Sequence, residues 1–317
     1  MNRGSIGRRL GGTVILFLVL VALLSPLLAT DRPLVARRGD RLVFPAFSAW
    51  PAAMLDRWTT PAPVDKVILR APVPHSPSRT NLRARLTGPG AEHPLGTDEL
   101  GRDLLSRLIH GTRVSLGVGF AAAAFSFLIG VLLGGIAGFF GGWIDLVLGR
   151  LIDVFLAFPF LVLLLAIVSV LQPGVGTIIL ALALTSWTAE ARLVRGEILR
   201  VRETDYAMAA RATGAPEGRI LFRHLIPNAL APVLVTASFG VGGAILAESA
   251  ISFLGFGIPL PLASWGTILS SADDYLREAW WLAVFPGLAI FLVVAACNLL
   301  GEGMRDLLDP RETRQSA

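Results

Sequence analysis

Six apolar runs, separated by polar connections of very unequal length, set the pattern of this chain. The first, Leu10–Ala29, is twenty residues without a charge and follows Arg3, Arg8 and Arg9. At a rise of about 1.5 Å per residue it just crosses a hydrocarbon core of about 30 Å. It is long for a signal peptide, and Leu27 stands where a cleavage site needs a small residue, so an uncleaved helix is expected. The second run extends from about Val114 to Phe140. Gly130, Gly134 and Gly138 recur every four residues along it and predict a smooth face on which a partner helix can pack at backbone distance. The third, Val147–Leu171, carries Pro159 near its middle and should bend there; Gln172-Pro173-Gly174 then makes a tight turn. The fourth opens at Thr177, stays cleanly apolar only as far as Trp187, and is expected to continue as a helix out of the membrane past Glu190 and Arg192. Pro232–Leu254 and Trp281–Leu300 are the fifth and sixth. Trp265, Trp280 and Trp281 suit an interfacial aromatic belt.

Three polar stretches stand out between these runs. From Asp31 to about Leu95 nothing is long enough to span, and half of the chain's 20 prolines fall there. Proline fixes φ and removes a backbone donor, so this insert should be extended and turn-rich rather than helical, with isolated strands at Arg41–Phe47 and Lys66–Leu69. His93–Gly111 (HPLGTDELGRDLLSRLIHG) predicts a helix on the membrane surface, capped by Thr97 or Asp98, with Glu99 and Asp103 in its first turns. Leu100, Leu104, Leu105 and Leu108 would line its apolar face. The third stretch, Asp205–Pro227 (DYAMAARATGAPEGRILFRHLIP), is the longest polar, basic segment within the C-terminal two-thirds. Tyr206, Ala209, Ala210 and Thr213 are spaced as a short helix that Gly214-Ala215-Pro216 stops. Ile220, Leu221, Leu225 and Ile226 form a second amphipathic turn, closed by Pro227. Two short helices of this kind make a compact knob suited to a partner's groove.

Composition and charge add orientation. With 54% hydrophobic and 16% charged positions in 317 residues, the chain belongs among integral membrane proteins. The net charge of +5 is carried by arginine, Lys66 being the only lysine, and its placement beside apolar runs points to topology rather than nucleic acid. Arg192, Arg195, Arg200, Arg202, Arg211, Arg219 and Arg223 all lie between the fourth and fifth runs. The second and third connections carry none and the fifth only Arg277. Six spans then put the knob and both termini in the cytoplasm. The basic residues of the first connection run against this, but that loop exceeds the roughly 60 residues over which the rule operates. Two regions follow: 1–110, a first helix with an extracytoplasmic insert and amphipathic connector, and 111–310, a five-helix core containing the cytoplasmic loop at about 195–228.

No enzyme constellation is present in the sequence. A Walker phosphate loop needs lysine after glycine, whereas Lys66 lies between Asp65 and Val67, so any ATP drive comes from a partner. His75, His93, His110 and His224 are scattered without the paired spacing of a zinc site, and no metal site is expected. Cys297, the single cysteine, lies inside an apolar run and supports neither a disulfide nor a metal pair. Ionisable groups inside spans are costly and need a reason. Glu248 in the fifth and Asp153 in the third either line a polar path, with Glu248 meeting a substrate's ammonium group, or pair with neighbouring helices.

Ala209-Ala210, Gly214 and the closing His224-Leu225-Ile226-Pro227 resemble the coupling loop of ABC-importer permeases. Met208 replaces the usual glutamate of that pattern and Ile226 a leucine; His224, in place of the common apolar residue, is similar to the peptide branch. GTDELGRDLLSRL resembles the segment before the second span in the dipeptide/oligopeptide/nickel branch. SFLGFGIPLPLASWG (Ser252–Gly266), AWWLAVFPGLAIFL and NLLGEGMRDLLDP resemble that branch's C-terminal third. Only Asp31 to about Glu92 stays outside the resemblance, being longer than usual for the branch. The resemblance implies an all-α integral membrane protein: a C-type subunit with the type I importer permease fold, six transmembrane helices and a proline-rich extracytoplasmic insert, in the bacterial inner membrane. It further implies a second homologous permease, two ATPase subunits that bind ATP and Mg, and an extracytoplasmic solute-binding protein delivering peptide, with no cofactor in this chain. Asp205, Tyr206, Ala209, Ala210, Gly214, His224 and Pro227 would be the ATPase-coupling residues. Nickel or another small solute is the alternative cargo. The rival class is a self-sufficient secondary transporter, against which the halves show no inverted repeat or matched interrupted spans.

Overall fold

In the computed structural model, which describes residues 3–54 and 64–308, five single helices are long and apolar enough to cross a membrane, and a sixth region is a helix pair bent by 90°. The first, α1 (Arg3–Leu28), starts ahead of its apolar run and takes in Arg8 and Arg9. The insert follows as β1 (Val35–Arg38), β2 (Arg41–Val43), α2 (Pro45–Met54) and β3 (Lys66–Leu69). Next come α3 (Leu104–Phe140), α4 (Gly142–Leu156), α5 (Phe160–Val170) and α6 (Val175–Val201). The knob contributes α7 (Asp205–Ala212) and a single turn, α8 (Glu217–Arg219). Finally α9 (Ile226–Ile251), α10 (Trp265–Ser270) and α11 (Trp281–Leu308) complete the chain.

Five local expectations need correction. The strands are not isolated: β1 pairs antiparallel with both others in the order β2-β1-β3, and Gly39, at φ 57°, turns the hairpin at Arg38↔Arg41. Nor is the insert free of helix, because Pro45 opens α2 at the position where a missing N–H costs nothing. The remainder of the insert at 55–63 lies outside the described residues. The connector helix is not capped at Thr97 or Asp98. Asp98 Oδ1 instead accepts from the backbone N–H groups of Leu100 and Arg102, both at 2.9 Å, and Gly101 takes φ 68°. Such side-chain turns compete with helix. The helix waits until Leu104, where Asp103 Oδ1 accepts from the N–H of Ser106 at 2.7 Å as an N-cap, and α3 then fuses connector and second span. In the third span Pro159 (φ −57°, ψ 130°) takes the extended conformation and caps α5, so the bend becomes a break. Pro227 closes nothing: it is the second residue of α9, in the turn where a helix tolerates proline. Residues from Glu217 to Phe256 form one helical stretch, wide-turned at Ile220–Leu225.

By contact the chain forms two compact units, each assembled from several helices. Among the described residues, one takes those within 1–13, 118–247 and 294–317, the other those within 14–117 and 248–293. In the first unit the glycine face of α3 is filled by α6 of the same chain, not by a partner. A Cβ on Gly138 would lie 2.8 Å from the carbonyl oxygen of Arg195 and one on Gly130 3.0 Å from the backbone nitrogen of Ala191; on Gly134 it would press on the backbone of Ala191. Arg195 also donates to Asp145 of α4 through two of its guanidinium nitrogens, Nε to Oδ1 and Nη2 to Oδ2, the latter at 2.7 Å.

The second unit is centred on Leu104, Ile268, Ala279, Trp281 and Leu282, all buried. Trp281 donates its indole N–H to the carbonyl of Thr97 at 3.0 Å and Trp265 to that of Leu108 at 3.2 Å. These two are core tryptophans rather than members of an interfacial belt; Trp280 alone of the three is exposed. Ser264 caps α10 through a reciprocal box with Thr267.

Candidate functional site

The polar loop after α6 is packed onto the ends of the long helices. Ala207, Ile220, Leu221 and Leu225 are buried with Phe139, Val194, Ile198, Val201, Ala229 and Val233 in one cluster, so the knob shares its core with the ends of α3, α6 and α9. At its exit α7 finishes in a Schellman motif. The N–H of Ala215 bonds the carbonyl of Ala210 at 3.2 Å, that of Gly214 bonds Arg211 at 2.9 Å, and Gly214 takes φ 75°. Nothing lies within 4 Å of the place a Gly214 side chain would occupy, so the glycine serves the backbone and not a close contact.

With Ala207 inward, α7 turns Asp205, Tyr206, Ala209 and Thr213 outward. Tyr206, Met208 and Phe222 are 42%, 51% and 56% exposed, a concentration of apolar surface on a short polar loop. Ala210 does not belong wholly to this outer face; half-buried, it packs on the knob's own core. His224 is half-buried and its carbonyl accepts from Asn228 Nδ2 at 2.6 Å; Pro227 is exposed. In the sequence Met208 stands out only as the residue in place of the coupling pattern's glutamate, and Phe222 carries no signal that separates it from its buried neighbours Ile220 and Leu221.

The same unit holds a cavity of about 450 Å³ between α3, the α4–α5 break, α6 and α9. Phe155, Phe158 and Phe239 give it an apolar wall; Ser126, Thr185, Ser186, Thr188 and Thr236 bring hydroxyls. The carboxylate on this wall is Glu190, taken from sequence only as a sign that the fourth span was leaving the membrane. Its Oε2 accepts from Ser126 Oγ at 3.4 Å. Glu248 and Asp153 do not line it. Glu248 is fully buried in the other unit, where Oε1 accepts from Ser252 and Ser264 at 2.7 Å each, a helix-linking role. Asp153 is exposed on α4, 3.6 Å from Arg150.

Two histidines read as scattered are brought together in the other unit: the rings of His75 and His93 lie 4.7 Å apart, and His93 Nδ1 donates to Asp103 Oδ2 at 2.8 Å. His110 Nε2 is bonded to the carbonyl of Ala29 at 2.8 Å, and His224 is on the knob.

Helices long and apolar enough to cross a membrane surround a polar-lined cavity, with a knob packed into their ends, an arrangement that fits a membrane transport subunit. Residues 130–314 match the family described as binding-protein-dependent transport system inner membrane component, and the chain belongs to it. It is similar to a putative peptide transport system permease protein of Brucella suis, 41% identical over 288 residues, covering 90% of this chain and 93% of that one. It is 44% identical over 234 residues to a dipeptide transport system permease protein of Alkalihalophilus pseudofirmus, covering 74% and 77%. It is also 46% identical over 226 residues to a di/tripeptide transport system permease protein of Pseudomonas aeruginosa, covering 71% and 75%. Among solved structures, an inward-facing form of the MetNI methionine ABC transporter covers 63% of this chain and 97% of its own, at 21% identity and a TM-score of 0.50, which supports the fold. The protein is an inner-membrane permease subunit of an ABC importer.

Proposed function

We propose that this chain forms half of a translocation path for di- or oligopeptides. It pairs with a second, homologous permease, couples to two ATPase subunits through the Asp205–Pro227 knob, and receives cargo from an extracytoplasmic solute-binding protein. The peptide transport names of several relatives favour this cargo. ATP and Mg2+ are bound by the ATPase subunits, with no cofactor in this chain. The knob and both termini face the cytoplasm, as the arginine-rich fourth connection favours. Closure of the ATPase pair moves the knobs, and the membrane helices follow as rigid bodies between inward- and outward-facing states. In the cavity, Glu190 meets the ammonium group of the peptide while the surrounding hydroxyls take its backbone polar groups.

The observation that carries this reading is the knob itself, which joins an exposed face of Tyr206, Met208, Ala209 and Phe222 to a core shared with α3, α6 and α9. A push on that face is transmitted because close-packed cores yield little. Ala209→Glu places a charge on the face without entering the core, where an unpaired buried charge costs several kcal/mol. Transport and ATPase copurification should both fall steeply while the chain still inserts. Unchanged uptake with normal ATPase binding would reduce the knob to a connector. Ala210→Glu is a poorer test, since Ala210 also packs inside the knob.

A further inference from the structure

We propose that His75, His93 and Asp103 form a binding site for a zinc-class divalent transition-metal ion that clips the Pro74–Ser76 loop to the start of α3. One ligand-capable atom from each of the three lies within 4.8 Å of the others. Tetrahedral coordination at about 2.0–2.1 Å brings ligand atoms to roughly 3.4 Å, a contraction that rotation of the broad histidine χ2 torsion can supply. Two imidazoles and a carboxylate suit zinc, nickel, cobalt or copper and not the oxygen-seeking magnesium or calcium.

The ring positions are held in advance. The carbonyl of His75 accepts from Ser106 Oγ at 2.8 Å, and His75 Nε2 is 3.1 Å from the carbonyl of Glu92. A carbonyl can only accept, so Nε2 carries the proton and Nδ1 keeps the lone pair. Asp103 divides its duties, Oδ1 capping α3 through Ser106 N–H while Oδ2 faces His93 Nδ1. His93 and Asp103 are buried and His75 is half-buried, at a polar cavity of about 360 Å³ that has room for water to complete the coordination. Among the described residues of its wall the one cation, Arg79, is 3.6 Å from Asp31, which offsets its charge. The structure thus joins residues separated in sequence into a compact set of two imidazoles and one carboxylate. The proposal is independent of the cargo carried.

The test uses the full chain in its assembled complex, purified through a tag without histidines and stripped with EDTA. Titration with Co2+ should give one saturable equivalent with a visible d–d band, displaced by one equivalent of Zn2+. His75→Ala removes a ligand while leaving the Asp103 cap intact, and should weaken Co2+ at least tenfold; His224→Ala should leave it unchanged. In the unsubstituted complex, Zn2+ should protect His75 and His93 from diethylpyrocarbonate, read by mass spectrometry, so the answer does not depend on any variant folding. Absence of a saturable equivalent, equal affinity in His75→Ala, or undiminished modification of both histidines with Zn2+ present would each overturn the site.

Discussion

At the scale of single residues, backbone conformation and hydrogen bonding separate groups that look alike in sequence. Gly214 is needed for its φ of 75°, so Gly214→Val should cost about 1–2 kcal/mol locally, and Gly214→Asn less, because asparagine tolerates the left-handed region. Transport coupled to ATP hydrolysis should follow the same order, Val below Asn below Gly. Glu190 and Glu248 are both carboxylates within apolar spans, yet they diverge. Glu190→Gln should depress uptake of peptides with a free amino terminus more than of N-acetylated ones, measured in reconstituted vesicles, while leaving thermal stability close to the parent. Glu248→Ala strands the hydroxyls of Ser252 and Ser264 and should cost about 1–3 kcal/mol, visible as a lower unfolding temperature. A reversed pattern, with Glu190 structural and Glu248 selective for the ammonium group, would contradict this assignment.

At the scale of elements, hydropathy and proline made most of the spans legible, and the misreadings have local causes. The fourth helix does run on past Glu190 and Arg192 as expected, and Pro159 does mark where the third span changes direction, although as a break and not a bend. The N-terminus of α3 was misplaced because Asp98 is as good a turn-former as it is a cap, and nothing in the local string tells the two apart. The β1 strand was missed because Val35–Arg38 has no apolar alternation; its partner strands supply what the segment lacks. The glycine spacing in α3 was read correctly as a close-packing face, but a sequence cannot say whose helix fills it. Because α6 does so, Gly134→Leu should damage the subunit itself, with at least about 1–3 kcal/mol of overpacking. The variant should show a lowered unfolding temperature even without the second permease, an outcome that a purely intersubunit face would not produce.

At the scale of the whole molecule, the proposed orientation and the proposed coupling are separable. A cysteine at Leu82, 70% exposed in the insert, should react with an impermeant thiol reagent added from outside, and one at the exposed Gly218 in the knob should not. Ala71 would be a poor reporter, being buried, and the native Cys297 is buried as well. Equal labelling at both sites would contradict a cytoplasmic knob. The candidate site itself was only half legible: the Ala-Ala-Gly pattern marked the knob, while the cavity and its Glu190 emerge from α3, α6 and α9 coming together over long sequence separations. The most direct measurement is photo-crosslinking in the assembled, membrane-embedded importer, with benzoylphenylalanine replacing Tyr206. A covalent adduct with the ATPase subunit is expected, lost when Ala209→Glu is added and absent from a control position at Leu82. No ATPase adduct from Tyr206, in a complex that still transports, would contradict the claim that this knob is where ATP hydrolysis drives the permease.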